Sequence, residues 1–262
     1  MLYGALAGDI IGSRFEFINI KTKTFELFHP YCKYTDDSVM TLAVYEACKK
    51  LKTNGYEIYE QAAQYFIDSL QEWGREYPGA GYGSAFCGWI FRDNPKPYNS
   101  WGNGSAMRVS AVGWMFDTLE EVEKVAKLSA EITHNHPEGI KGAVTTAGCI
   151  FLARTGHSKK EIKKYIKQKG YKLRPNTLVR PTYEFNESCQ GTVPVALESF
   201  LESTDFEDAI REAVSMGGDS DTIAAITGSI AEAFYGGVPE DIKQEIDKCL
   251  DTRMLCVVKE CN

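Results

Sequence analysis

The stretch Asp117-Thr118-Leu119-Glu120-Glu121-Val122-Glu123-Lys124-Val125-Ala126-Lys127-Leu128-Ser129-Ala130-Glu131-Ile132 decides the fold class. Leu119, Val122, Val125, Ala126, Ser129 and Ile132 fall on one face of an amphipathic helix, because apolar positions recur with the helical period. Asp117 and Glu120 are spaced as a variant of the capping box. Ser158 with Glu161, and Thr204 with Glu207, repeat that start signal. Pro239 stands where a first-turn proline belongs, ahead of Glu240, Asp241 and Ile242. Further helices are predicted over 4–12, 38–52, 57–73, 105–115, 138–154, 192–202 and 221–235. Strand-like alternation is scarce, so the reading is all-α.

With 44% hydrophobic residues in 262, the chain has enough apolar surface for one large core, and no repeat or linker marks a boundary. A single domain over 1–262 is expected. The net charge of -7 argues against a general nucleic-acid or membrane-surface binder, which needs excess positive charge. A phosphate-bearing ligand is still compatible, since backbone N–H groups and bound cations can hold small anions. The eight cysteines show no CxxC pair and no zinc spacing, and are expected as free buried thiols. The start Met1-Leu2-Tyr3-Gly4 lacks the features of a signal peptide, and no stretch approaches about 20 apolar residues. A cytoplasmic protein without membrane association is expected, and the absence of heptads is compatible with a monomer.

Three stretches break the helical pattern, 13–35, 75–104 and 170–191, and such connections are where sites in helical proteins gather. The basic run from Lys159 to Arg174 interleaves Lys with Ile162 and Ile166, which reads as a solvated helix face.

Tyr34-Thr35-Asp36-Asp37-Ser38 precedes one helix and Gly217-Gly218-Asp219-Ser220-Asp221-Thr222 precedes another. Taken alone, each suits a helix cap that complements the dipole. Taken together, four carboxylates and two hydroxyls would repel if they met without cations, and hard divalent ions want such oxygen donors. The glycines before Asp219 allow close backbone approach, while Ala224, Ala225, Gly228 and Ala231 mark a tightly packed helix.

Ser100-Trp101-Gly102-Asn103-Gly104-Ser105-Ala106-Met107-Arg108 places glycines around a helix start. It is either a plain turn or a cradle of N–H groups for a pyrophosphate, with Trp101 offering a flat face to a base. Met107 stands where a dinucleotide fingerprint needs glycine, and no strand precedes it. Gly4, Gly8 and Gly12 line one helix face and point to close packing. Glu16, between two aromatics, is placed for a desolvation-raised pKa and acid–base work. In Thr133-His134-Asn135-His136 no cysteine or third histidine completes a zinc set, so His134 is read as a hydrogen-bonding group for phosphate or ribose.

The ordered series Gly4-x-x-x-Gly8-Asp9, Tyr34-Thr35-Asp36-Asp37, Gly81-Tyr82-Gly83, Gly102 to Arg108, Thr133-His134 and Gly217 to Thr222 resembles the ADP-ribosylglycohydrolases over nearly the whole chain. The resemblance implies a compact orthogonal helical bundle with a dinuclear Mg²⁺ or Mn²⁺ centre in a cleft. Thr35, Asp36, Asp37, Asp219, Asp221 and Thr222 would be the metal ligands. Gly102 to Met107, with Gly102, Asn103, Gly104, Ser105 and Met107 in contact, would form the pyrophosphate loop, Trp101 the adenine-side aromatic, and Ser100, His134, Gly81 and Tyr82 further substrate contacts.

The implied reaction is metal-dependent hydrolysis of the glycosidic bond between ADP-ribose and a modified acceptor, releasing ADP-ribose. Glu16 would serve as base, with Asp36 and Asp37 as the alternatives. The partner would be an ADP-ribosylated protein or a small adduct, with a nucleic-acid adduct also open. The rival readings are a catalytically silent ADP-ribose-binding protein and an Mg²⁺-dependent hydrolase of a small ADP-ribose derivative.

Overall fold

Gly4, Gly8 and Gly12 lie directly on a second helix, where a Cβ on any of them would overlap main-chain atoms of Gly228, Ala224 or Asp221. Only glycine permits that approach. The computed structural model describes residues 1–54 and 59–261. The glycine-striped helix is α1 (Tyr3–Gly12), followed by a 3₁₀ turn at Ser13–Phe15, α2 (Asp36–Asn54), α3 (Tyr59–Glu76), α4 (Ser84–Ile90), α5 (Gly104–Met107) and α6 (Ser110–Met115). The order continues through α7 (Leu119–Glu131), α8 (Pro137–Arg154), α9 (Lys159–Gln168), α10 (Asn176–Val179), a 3₁₀ turn at Arg180–Thr182, α11 (Cys189–Glu202), α12 (Phe206–Val214), α13 (Ser220–Tyr235), α14 (Glu240–Cys249) and α15 (Thr252–Glu260). Among the described residues the β-type pairing is an isolated antiparallel bridge between Gly102 and Ser188, so the all-α reading holds.

Every residue of α1 is buried, as is α13 from Ser220 to Ala233. Around this central pair, α8, α11 and α12 pack on α13, α2 packs on α1 and α3, and α7 pairs with α8. Phe66 and Phe200 are fully removed from water, which stabilises the fold by roughly 1.5–3 kcal/mol each.

Helix starts mostly follow local chemistry, with shifts of one residue. Thr118, not Asp117, caps α7: its hydroxyl accepts from Glu121 N at 3.2 Å and Glu121 returns to Thr118 N at 3.1 Å. Thr118 has the extended backbone that a cap needs. Asp205, not Thr204, caps α12 through Asp208 N at 2.8 Å. Ser158 and Glu161 form the expected box, and Pro239 is the cap residue of α14 rather than its first helical residue.

The helix expected over 105–115 is broken at Arg108 and Val109 into α5 and α6. Residues 57 and 58 of the helix expected over 57–73 lie outside the described residues. The break regions hold α4, α10 and the two 3₁₀ turns. All eight cysteines are free, but only Cys48, Cys149 and Cys189 are buried; Cys256 is exposed and the others are half-buried. On α9, Ile162, Tyr165 and Ile166 face inward while Lys163 reaches Glu198 at 3.1 Å, as a solvated helix face requires. Among the described residues no helix is long and apolar enough to cross a membrane.

Candidate metal centre

The starts of α2 and α13 meet at the end of α1. Asp9, fully buried on α1, accepts from Thr35 N at 2.9 Å, Thr35 Oγ1 at 2.7 Å and Ser38 N at 3.0 Å, and also from the Ser38 hydroxyl. Asp9 therefore caps α2 from outside it, and Asp36 and Asp37 are released from the capping that their position suggests. The Thr35 hydroxyl spends its hydrogen on Asp9, accepts from Asp37 N at 3.3 Å and keeps one lone pair. Asp9 is the residue to which sequence reasoning gave no role; the signal was a lone acid in the otherwise apolar run Tyr3 to Gly12.

At the other start, Gly217 and Gly218 have positive φ angles of 67° and 71°, which turn the chain sharply into Asp219. The Asp219 side chain makes no cap hydrogen bond and instead accepts from Asn103 Nδ2 at 2.6 Å. Thr222 Oγ1 donates to Asp37 Oδ2 at 3.2 Å, joining the two helix starts. Among the described residues Asp37 Oδ1 is buried with no hydrogen-bond partner.

Glu16 joins this group from the 3₁₀ turn after α1: one ligand oxygen each of Glu16, Asp219 and Asp221 lies within 4.8 Å of the others. Desolvation, then Asp219 and Asp9, push Glu16 up to about 7. Desolvation, then Asp9 and Asp219, push Asp36 up to about 7. Asp37 and Asp221 stand well above the usual carboxylate range, first from burial and then from neighbouring carboxylates. A cluster of acids that burial and mutual repulsion both oppose, with one oxygen left orphaned, is the donor set that a hard divalent cation satisfies. The residues present fit such an ion.

Two side chains position Glu16. Asn19 Nδ2 donates to the carbonyls of Phe15, Glu16 and Gly218 at 2.7, 2.9 and 3.0 Å, and its Oδ1 accepts from Gly218 N at 2.8 Å. Lys21 Nζ donates to Tyr183 O at 2.6 Å and to Met216 O at 2.5 Å. The segment carrying Glu16 is thereby pinned to the loop carrying Asp219. Neither residue carried a sequence signal, because both bond to distant main-chain groups.

The glycine-rich turn abuts the same centre. Asn103 N donates to Glu187 O at 2.7 Å, and Asn103 Nδ2 also reaches Thr192 Oγ1 at 3.0 Å. Ser100 Oγ accepts from Gly102 N at 3.0 Å and Ser105 Oγ donates to Gly139 O at 2.7 Å, so both hydroxyls hold the turn in shape. A Cβ on Gly102 or Gly104 would stand 3.4 or 3.2 Å from His134 Nε2, which places that ring over the turn. Met107 is buried with its sulfur 4.0 Å from Thr222 Oγ1. Trp101 is 55% exposed at the rim, its ring edge-on to His136 with centroids 5.9 Å apart. Gly81 (φ 108°) lies over Asp36, 3.6 Å from a Cβ position to Asp36 Oδ1. The buried hydroxyl of Tyr82 has no hydrogen-bond partner among the described residues.

The structure therefore brings Glu16, Thr35, Asp36, Asp37, Asp219, Asp221 and Thr222 to one place, with Gly102–Met107, His134 and Gly81 beside it and Trp101 at its edge.

The sequence profile of the ADP-ribosylglycohydrolase family matches residues 1–260, and the chain belongs to that family. It is 26% identical to ADP-ribosylhydrolase ARH3 of Homo sapiens over 97% of this chain and 90% of the relative. It is 23% identical to ADP-ribosylarginine hydrolase Tri1 of Pseudomonas putida (strain GB-1), over 94% of this chain and 72% of that one. A solved structure described as an ADP-ribosylglycohydrolase-related protein complex superposes with a TM-score of 0.72 at 24% identity, covering 98% of this chain and 93% of that chain, and so shares the fold.

Proposed function

We propose that this chain is a single-domain, divalent-metal-dependent ADP-ribosyl-acceptor hydrolase that cleaves the glycosidic bond between ribose and acceptor and releases ADP-ribose. One observation carries the reading. Two helix starts bring Asp36, Asp37, Asp219 and Asp221 together, joined by the Thr222–Asp37 hydrogen bond, and among the described residues Asp37 Oδ1 is buried without a hydrogen-bond partner. Thr35, Asp36, Asp37, Asp219, Asp221 and Thr222 would hold two Mg²⁺ or Mn²⁺ ions. Bound there, the ions supply Lewis acidity and the positive charge that lets the carboxylates ionise.

The chain's own groups do the rest. Trp101 offers its exposed face to adenine, the Gly102–Met107 turn with His134 receives the pyrophosphate, and Gly81 and Tyr82 border the ribose beside Asp36. Glu16, half-buried beside Asp219 and Asp221, takes a proton from water as the water oxygen bonds to the anomeric carbon. The bond from that carbon to the acceptor breaks, its electron pair stays with the acceptor heteroatom, which takes a proton from solvent water, and Glu16 returns its own proton to solvent. Asp36 and Asp37 stabilise the positive charge that develops on the sugar.

The relatives named as ADP-ribosylhydrolases support this reading. Incubation with a panel of ADP-ribosyl adducts, with and without EDTA, tests it by mass analysis. Intact ADP-ribose released only without chelator is the expected product. AMP, free phosphate or no release at all would overturn the assignment.

A further inference from the structure

We propose that Arg108 and Thr133 are positioning residues that fix His134 in the tautomer carrying its hydrogen on Nε2, so that the ring donates to a phosphate oxygen seated on the Gly102–Gly104 turn. The phosphate part rests on the function proposed above; the tautomer does not.

The inference follows from counting hydrogens along one chain of contacts. Arg108 is 1% exposed, lies between α5 and α6, and directs its guanidinium inward, where Nη2 donates to Ser129 O at 3.2 Å and to Thr133 Oγ1 at 2.8 Å. A guanidinium only donates, so Thr133 Oγ1 accepts on that side. The other partner of this hydroxyl is His134 Nδ1 at 2.7 Å. Thr133 has one hydrogen to give, and with Arg108 unable to take it, that hydrogen points to Nδ1. Nδ1 is then an acceptor, and in the neutral ring the hydrogen resides on Nε2. The reverse tautomer would set an Nδ1–H against the threonine and leave a fully buried hydroxyl hydrogen with no acceptor among its partners in the described residues.

The residue is closely packed: a Cβ on Gly139 would lie 2.9 Å from His134 Cβ, and Tyr98 flanks the ring with centroids 5.9 Å apart. Among the described residues Nε2 makes no hydrogen bond, and it stands over Gly102 and Gly104. Burial and the nearby Arg108 charge also hold His134 well below its usual pKa, which keeps the ring neutral and leaves one donor and one acceptor to assign. Among the described residues Arg108 makes no salt bridge, and its guanidinium lies over the Phe86 ring 5.5 Å from the centroid while it donates to Ser129 O and Thr133 Oγ1.

The test is nitrogen NMR of the full chain labelled at its four histidines, with the His134 signal assigned by its loss in His134→Asn. In the parent, Nε2 should be the protonated nitrogen. Thr133→Val, which keeps the shape and removes the hydroxyl, should populate the Nδ1–H form and weaken ADP-ribose binding about tenfold, the scale of one hydrogen bond to a charged group. Thr133→Ser should retain both the parent spectrum and the parent affinity, which a loss of packing alone would not explain. A parent ring protonated on Nδ1, or a Thr133→Val protein with unchanged spectrum and affinity, would overturn the proposal. If the parent binds no ADP-ribose, the proposed function fails while the spectrum still decides the tautomer.

Discussion

The side-chain amide of Asn103 donates to Asp219 Oδ2 at 2.6 Å, tying the glycine-rich turn to the carboxylate centre across 116 positions of sequence. Turn and centre are thus one mechanical unit. Asn103→Ala should weaken Mg²⁺ binding and ADP-ribose binding together, and should cost about 1–3 kcal/mol of folding stability. Calorimetric titration of each ligand checks this; a loss confined to ADP-ribose would show that turn and centre are independent.

The cation-free protein should lose stability as pH rises. Asp36 and Glu16 titrate at about 7 in the folded chain, whereas the same side chains titrate near 4 when unfolded. Between about pH 4 and 7 the folded state therefore holds more protons than the unfolded state, and the slope of stability against pH is negative there. Denaturant melts in EDTA should give a higher midpoint near pH 5.5 than near pH 8. Added Mg²⁺ should stabilise more at the higher pH, because it binds the ionised carboxylates. Equal midpoints in EDTA would contradict the electrostatics described.

Gly8→Ala should destabilise by at least about 1–3 kcal/mol, since its Cβ would overlap the Ala224 main chain on α13. Gly79→Ala meets nothing within 4 Å and serves as the control, within about 0.5 kcal/mol of the parent. Matched thermal melts separate packing from a general intolerance of side chains at glycine.

Trp101→Ala should weaken nucleotide binding by about 1–3 kcal/mol, the scale of stacking on an aromatic face. Because Trp101 is 55% exposed, thermal stability should hardly change. Unchanged affinity in fluorescence titration would place the adenine elsewhere.

Much of this was legible in the sequence because it is local. The spacing of Leu119 to Ile132 gives α7, and the glycine spacing in α1 gives its packing face. The one-residue shift from Asp117 to Thr118 arises because both side chains can cap and only the backbone angle at Thr118 selects between them. The break between α5 and α6 leaves no mark in the sequence because Arg108 is a good helix former; its burial and its hydrogen bonds to Ser129 and Thr133 are tertiary. At the centre, the six donors were visible as two short motifs. The cap on α2 comes from Asp9 and the brace on Glu16 from Asn19, and such long-range side-chain bonds leave no periodic trace.

The central claim is that the two helix starts hold a pair of divalent ions. Crystals soaked in Mn²⁺ and measured near the manganese edge test it most directly. Two anomalous peaks within coordination distance of Thr35, Asp36, Asp37, Asp219, Asp221 and Thr222 are predicted. Crystals that bind manganese elsewhere while these six side chains carry no peak would contradict it.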